Sequence, residues 1–262
     1  MLEVLVRQPE AATRMTPLLF VHGVWHGAWG WDEFFMPYFA GRGYACHALS
    51  LRGHGGSDGR PRLRWTRLHD YVDDVAATVA QLPAAPVLVG HSMGGFVVQK
   101  YLERHSAAGA ILLASIPPTG AILTTLRVLR RHPVAFVKAN ATMSLAPIVA
   151  TPQMAREFLF SASTPAERVI AYHRRLQDES YLAYLDLIAF GLVRTTRVTR
   201  VPMLVLGAGD DTLISHAEVR RTAETYGTRA EFFPGMGHDL MLDVGWQRVA
   251  ARMAAWLEER GA

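Results

Sequence analysis

Short apolar runs rich in Val and Leu recur along the chain, at Leu2 to Val6, Leu18 to Val21, Tyr44 to Leu49, Val87 to Val89, Ala110 to Ala114, Met203 to Leu206 and Ala230 to Phe233. Their length and near-continuous hydrophobicity are those of strands covered on both faces. Between several of them the apolar positions recur at helical spacing, over Trp31 to Ala40, Leu68 to Leu82, Phe96 to His105 and Trp246 to Arg260. This alternation predicts an α/β fold, a mostly parallel, doubly wound sheet with helices on both faces.

The alternation stops between Pro117 and Thr199, where helix starts appear without strand patterns. Thr151-Pro152 pairs a cap with proline at the first helical position, Thr164-Pro165-Ala166-Glu167 reads as a capping box, and Ser180 is placed to cap a third helix reaching Phe190. A structureless loop of roughly eighty residues is rare in a compact domain. Residues 117–199 are therefore expected to form a helical lid inserted into a core made of residues 1–116 and 200–262.

Half of the 262 residues are apolar, enough for a sizeable core and too many for a disordered chain. The net charge of +4 is a small excess of 27 basic over 23 acidic residues. The densest basic stretch, Arg60 to Arg67, runs straight into Asp70, Asp73 and Asp74, which cancel much of its field. A solvated face is expected there, and no nucleic-acid partner, because nucleic-acid footprints are broad surfaces of one sign. Cys46 is the only cysteine and sits in an apolar run, so it reads as a core thiol. Met1 to Arg7 lacks the basic and then apolar pattern of a leader, and no run reaches the roughly eighteen apolar residues of a membrane span. The expectation is a cytoplasmic protein without stable membrane insertion; a homodimer is left open.

The chemistry gathers at loop positions after strands. Ser92 lies between Val87-Leu-Val89 and a helix beginning near Gly94, in the turn Gly90-His-Ser92-Met-Gly94-Gly95. A nucleophile on such a strand-to-helix elbow needs small residues two positions before and after it, and Gly90 and Gly94 supply them. The helix behind it turns free amides and the positive end of its dipole toward any anion formed there. A base and an acid should then follow on later loops, in the order Ser, acid, His. The strand at Met203 runs into Gly207-Ala-Gly-Asp210-Asp211, and the strand ending at Phe233 runs into Pro234-Gly-Met-Gly-His238-Asp239. Asp210 and Asp211 compete for the acid role. An oxyanion hole is expected from the Val24 amide, in the turn His22-Gly23-Val24-Trp25, facing the Met93 amide.

At this point the chain resembles the α/β-hydrolase family. The resemblance rests on Phe20-Val-His22-Gly23, Arg52-Gly-His54-Gly-Gly-Ser57, Gly90-His-Ser92-Met-Gly-Gly95, Gly207-Ala-Gly-Asp-Asp211 and Gly235-Met-Gly-His238, which span the chain almost end to end. It implies Asp211 as the acid, four residues before a position where relatives usually carry proline and this chain carries Ser215. A second departure is Ser50, where relatives often have Asp ahead of the Arg52-Gly-His54 loop. The stretch His22 to Trp29 is similar to the plant methylesterase and hydroxynitrile lyase branch, with His26 read as a loop-packing residue.

Together these residues imply a serine ester hydrolase acting through an acyl-enzyme, with Ser92 as nucleophile, His238 as base and then acid, and Asp211 holding the imidazole. No metal or organic cofactor is required. The substrate is expected to be a small molecule, an apolar ester of small to medium size, with Trp25, Met143, Phe158 and Tyr184 as candidate lining residues. Carbon–carbon bond hydrolysis, acyl transfer and perhydrolysis use the same triad and stand as alternatives; a non-catalytic ligand-binding relative is a third class. Cyanohydrin cleavage would, by the resemblance, rely on a lysine, and only Lys100 and Lys138 exist.

Overall fold

The computed structural model describes residues 1–11 and 14–261. Each of the seven apolar runs forms a strand: β1 (Glu3–Arg7), β2 (Leu18–Val21), β3 (Cys46–Ser50), β4 (Val87–His91), β5 (Gly109–Leu113), β6 (Met203–Ala208) and β7 (Ala230–Phe233). They make one sheet in the order β1-β3-β2-β4-β5-β6-β7. β1 runs antiparallel to β3, and the other neighbouring pairs are parallel. β2, β4 and β5 are buried along their whole length, whereas the edge strands β1 and β7 are only partly covered.

The helix expected over Trp31 to Ala40 is two short ones, α1 (Trp29–Asp32) and α2 (Phe35–Ala40). Aromatic packing explains the break: Phe34 leaves the helix to stack on Trp246, with ring centroids 4.8 Å apart, while Trp31 and Phe35 meet edge to face inside. α3 (Leu68–Val79) turns Leu68, Tyr71, Val72 and Val75 into the core, and its first turn is closed by the Asp70 carboxylate on the Arg67 amide. α4 (Met93–Tyr101) starts directly behind Ser92.

Between β5 and β6 the described chain carries helices and turns without a strand: α5 (Ile122–Arg131), α6 (Pro133–Thr142), α7 (Pro152–Leu159), α8 (Ala166–His173) and α9 (Tyr181–Leu185), the last running into a π turn over Asp186–Phe190. Thr151 and Ser180 cap α7 and α9 through their hydroxyls. The capping box expected at Thr164 does not form. Pro165 takes the cap position, and the Thr164 hydroxyl donates to the buried carboxylate of Asp243. After β6 come α10 (His216–Thr225), opened by a Ser215–Glu218 capping box, and α11 (Trp246–Glu258).

The sheet order sets where a ligand can bind. From β2 the chain moves to β3 on one side, and from β4 to β5 on the other, so the crevice at their carboxyl ends is a topological switch point. Ser50 lies beside it. Its hydroxyl accepts from the Ala28 amide at 2.9 Å and donates to Glu3, its cross-strand partner on β1. The carboxylate that the resemblance places at position 50 is thus supplied here from the neighbouring strand.

Candidate active site

Ser92 closes β4 with φ 51° and ψ −117°, a conformation side-chain-bearing residues rarely adopt. The turn is fixed on both sides: its amide donates to the Leu113 carbonyl at 3.0 Å, and its carbonyl accepts from Ile116 at 3.1 Å and Phe96 at 3.2 Å. A Cβ at Gly90 would lie 2.6 Å from the Gly94 oxygen and the Gly95 Cα, and one at Gly94 would meet the carbonyls of Val21 and His22. Glycine at both positions is what lets α4 press against the end of β2.

That end carries the His22-Gly23-Val24 turn. His22 donates from Nδ1 to the Gly23 carbonyl at 2.8 Å and accepts the Leu51 amide on Nε2 at 3.0 Å, pinning the turn to the chain after β3. Burial holds its pKa far below the ordinary imidazole value, so this ring is neutral. The Val24 amide has no acceptor among the described residues. Met93, the first residue of α4, has no carbonyl one turn earlier in the helix to bond. Val24 lines the cavity described below; Met93 is fully buried behind Ser92.

Of the two aspartates after β6, Asp211 reaches the histidine: its Oδ2 lies 2.8 Å from His238 Nδ1. Its Oδ1 accepts the amides of Leu213 at 2.8 Å and Ile214 at 2.9 Å, so both oxygens are committed. Asp210 is exposed. Burial alone would depress the His238 pKa, but the Asp211 charge and hydrogen bond outweigh it, with Asp239 adding to the field, and the net shift is upward.

Ser92 and His238 share the wall of one cavity. The sheet side contributes Val24, Trp25, Leu213 and Ile214; the helical segment contributes apolar residues such as Val128, Phe136 and Leu187. Trp25 and Tyr184 line it, whereas Met143 and Phe158 do not. Phe158 lies inward on α7 against the His132 ring, 5.2 Å between centroids, and is a core residue. Met143 ends α6 in a left-handed turn (φ 48°) that takes it out of the helical phase its neighbours follow. Neither lysine reaches the cavity: Lys100 pairs with Glu103, and Lys138 is exposed.

Three buried groups join the site without a prior sequence signal beyond their adjacency to motif residues. His26 donates from Nδ1 to the Val24 carbonyl at 2.8 Å, and its Nε2 stands 3.0 Å from Asp239 Oδ2. Burial would raise the Asp239 pKa, but the charge and hydrogen bond of His26, with His91 and His238, pull it down, so the Asp239 carboxylate is held ionised beside these rings. His91, whose pKa burial pushes down to about 3, is neutral and donates from Nε2 to the His238 carbonyl at 3.0 Å. His26 therefore does more than pack: it links the turn His22-Gly23-Val24 to the loop of His238.

That loop is also joined to the helical segment. Asp243 accepts the Gly237 and Val244 amides, the Ser161 amide at 2.9 Å, the Ser161 hydroxyl at 2.8 Å and the Thr164 hydroxyl. The Asp239 amide donates to the Leu159 carbonyl at 2.8 Å. Among the described residues no group of three or more His, Cys, Asp or Glu side chains is arranged to hold a metal ion, and no helix is long and apolar enough to cross a membrane.

Residues 18–252 match the alpha/beta hydrolase family. The chain is 28% identical to a non-heme haloperoxidase of Rhodococcus erythropolis over 92% of both chains. It is 25% identical to a monoacylglycerol lipase of Mycolicibacterium smegmatis over 84% of this chain and 80% of that one. Among solved structures, an esterase from Exiguobacterium antarcticum superposes with a TM-score of 0.75 at 18% identity, covering 98% of this chain and 95% of that one.

Proposed function

The chain belongs to the alpha/beta hydrolase family, and we propose that it is a serine hydrolase that cleaves an apolar carboxylic ester of small to medium size through an acyl-enzyme. The observation that carries this reading is the Asp211–His238 contact at the wall of the cavity that also holds the strained Ser92 elbow. With Nδ1–H donated to Asp211, the imidazole presents a bare Nε2, the tautomer a general base needs. His238 takes the Ser92 hydroxyl proton as Oγ adds to the ester carbonyl. The Val24 and Met93 amides receive the developing oxyanion. The imidazolium, stabilised by Asp211, protonates the leaving alcohol; water then attacks the acyl-enzyme with His238 again as base, releasing the acid and restoring Ser92. Residues 117–199 serve as the lid, supplying apolar walls that exclude bulk water.

The likeness to a haloperoxidase over nearly the full length favours one second reading, perhydrolysis. Hydrogen peroxide would replace water at the acyl-enzyme and leave as the peracid, using the same residues. One experiment addresses both. Wild type and Ser92→Ala are treated with a fluorophosphonate probe and with p-nitrophenyl butyrate, with and without hydrogen peroxide. The expected result is labelling and burst release of p-nitrophenol in wild type only, with peracid in the peroxide arm if the second reading holds. A wild-type protein that neither labels nor turns over any short ester overturns the serine-hydrolase reading.

A further inference from the structure

The cavity is almost wholly apolar, and most of its ionisable lining belongs to the cluster around Ser92: His26, His91, His238 and Asp239. Glu179, just before α9 in the helical segment, is the carboxylate outside that cluster. It is 1% exposed. Its Oε1 is fully used, accepting the Tyr71 hydroxyl at 2.6 Å and the Ser180 amide at 2.7 Å. Its Oε2 has no hydrogen-bond partner. His54 Nε2 stands 3.3 Å away, within ion-pair range, and neither atom makes a hydrogen bond of good geometry. A buried carboxylate oxygen and imidazole nitrogen without a well-formed hydrogen bond cost stability unless a third group meets them.

We propose that Glu179 Oε2, with His54 behind it, is a polar subsite of this cavity that accepts a hydrogen bond from a hydroxyl group carried on the substrate's chain. The proposal deepens the ester-hydrolase reading and rests on it for the identity of the substrate as an ester. A hydroxyl suits the site better than an ammonium. His54 holds its Nδ1–H toward the Arg52 carbonyl at 3.3 Å. Burial opposes its charge, but Glu179 outweighs burial and the net shift is upward, so His54 already favours the charge an ammonium would bring. A neutral donor completes the hydrogen bonding without adding an unbalanced charge.

The sign of the effect is diagnostic. Moving a hydroxyl into an apolar cavity without a partner costs about 1–3 kcal/mol, so an unassisted pocket would disfavour a hydroxylated ester by about fivefold to 150-fold. The test is a panel of p-nitrophenyl esters of C4 to C8 acids ending in methyl, hydroxyl, methoxy or ammonium, read as kcat/KM ratios within each protein. For wild type the hydroxyl ester is expected to exceed both the methyl and the methoxy ester at least tenfold at one chain length. Glu179→Gln keeps a carbonyl for Tyr71 and Ser180 and puts an N–H donor where Oε2 was, so its hydroxyl-to-methoxy ratio should fall to about one or invert. Calorimetric binding of C4 to C8 alcohols and their methyl ethers reads the same ratio without turnover. An alcohol preference lost in Glu179→Gln with no ester hydrolysed would keep the subsite and sink the hydrolase reading. Ester turnover with no hydroxyl preference, a preference that survives Glu179→Gln, or ammonium favoured over hydroxyl would each overturn the subsite.

Discussion

Replacing Asp211 by Asn tests the acid more sharply than deleting it, because the structure dictates which way the amide must face. Oδ1 accepts two backbone amides, from Leu213 and Ile214, while Oδ2 faces His238 Nδ1. In Asp211→Asn the carboxamide oxygen is held at the Oδ1 position, and its NH2 group is turned on Nδ1. The imidazole must then accept at Nδ1 and carry its proton on Nε2, where it can no longer take one from Ser92. Flipping the amide would orphan the two backbone donors at about 1–3 kcal/mol each. The productive tautomer is thus suppressed by about 2–6 kcal/mol, or roughly two to four decades. Loss of the charge that steadies the imidazolium pushes toward the upper end, and a fall in kcat/KM of about 10⁴ is expected, the size known for this substitution in a Ser-His-Asp triad. The assay is p-nitrophenyl butyrate hydrolysis near pH 8, with a thermal melt to verify folding and Asp210→Asn as control. A loss smaller than tenfold in Asp211→Asn, or an equal loss in Asp210→Asn, would refute the assignment.

Three further outcomes are expected. Because His238 must be neutral to act as base and its pKa is held above 6.5, kcat/KM should fall as pH drops through a midpoint above that value, and Asp239→Asn, which removes a charge that raises it, should move the midpoint down; a wild-type midpoint at or below 6.5 contradicts this. Burial pushes the Cys46 thiol up to about 12, so Ellman's reagent should find no thiol in the native protein at pH 8 and one after unfolding in guanidinium; prompt native labelling would show the burial to be wrong. Phe158→Ala should destabilise by about 3–5 kcal/mol with the preferred ester length unchanged, whereas Tyr184→Ala should shift that length upward; the opposite pattern would move Phe158 to the cavity wall.

The strands were legible because β2, β4 and β5 are buried on both faces, and such burial leaves a continuous apolar run whatever lies far away in the chain. The elbow was legible for a similar reason: Gly90 and Gly94 are demanded by local contacts. What the sequence could not show was decided by distant partners. Phe34 breaks its helix for Trp246, and Thr164 leaves its cap for Asp243. Asp210 and Asp211 have the same side chain, and their difference lies in which one meets the Leu213 and Ile214 amides and His238. Met143 and Phe158 carried the right hydrophobicity but not the direction of their side chains. Asp239 was hidden by its neighbour His238, and Glu179 by the polar stretch Gln177 to Ser180, which reads as a turn.

The knot at Asp243 has a mechanical consequence. Ser161 and Thr164, just after α7, and Gly237, one residue before His238, hang on the same carboxylate. A Cβ on Gly237 would collide with the Phe160 backbone, so the two pieces touch with no slack. Lifting the helical segment at α7 would drag the loop of His238 with it, whereas α5 is tied elsewhere, with Thr124 and Arg127 donating to the Leu213 carbonyl and Arg127 pairing with Glu218. The joint acts as an interlock: the chain after α7 and the loop of His238 can shift only together.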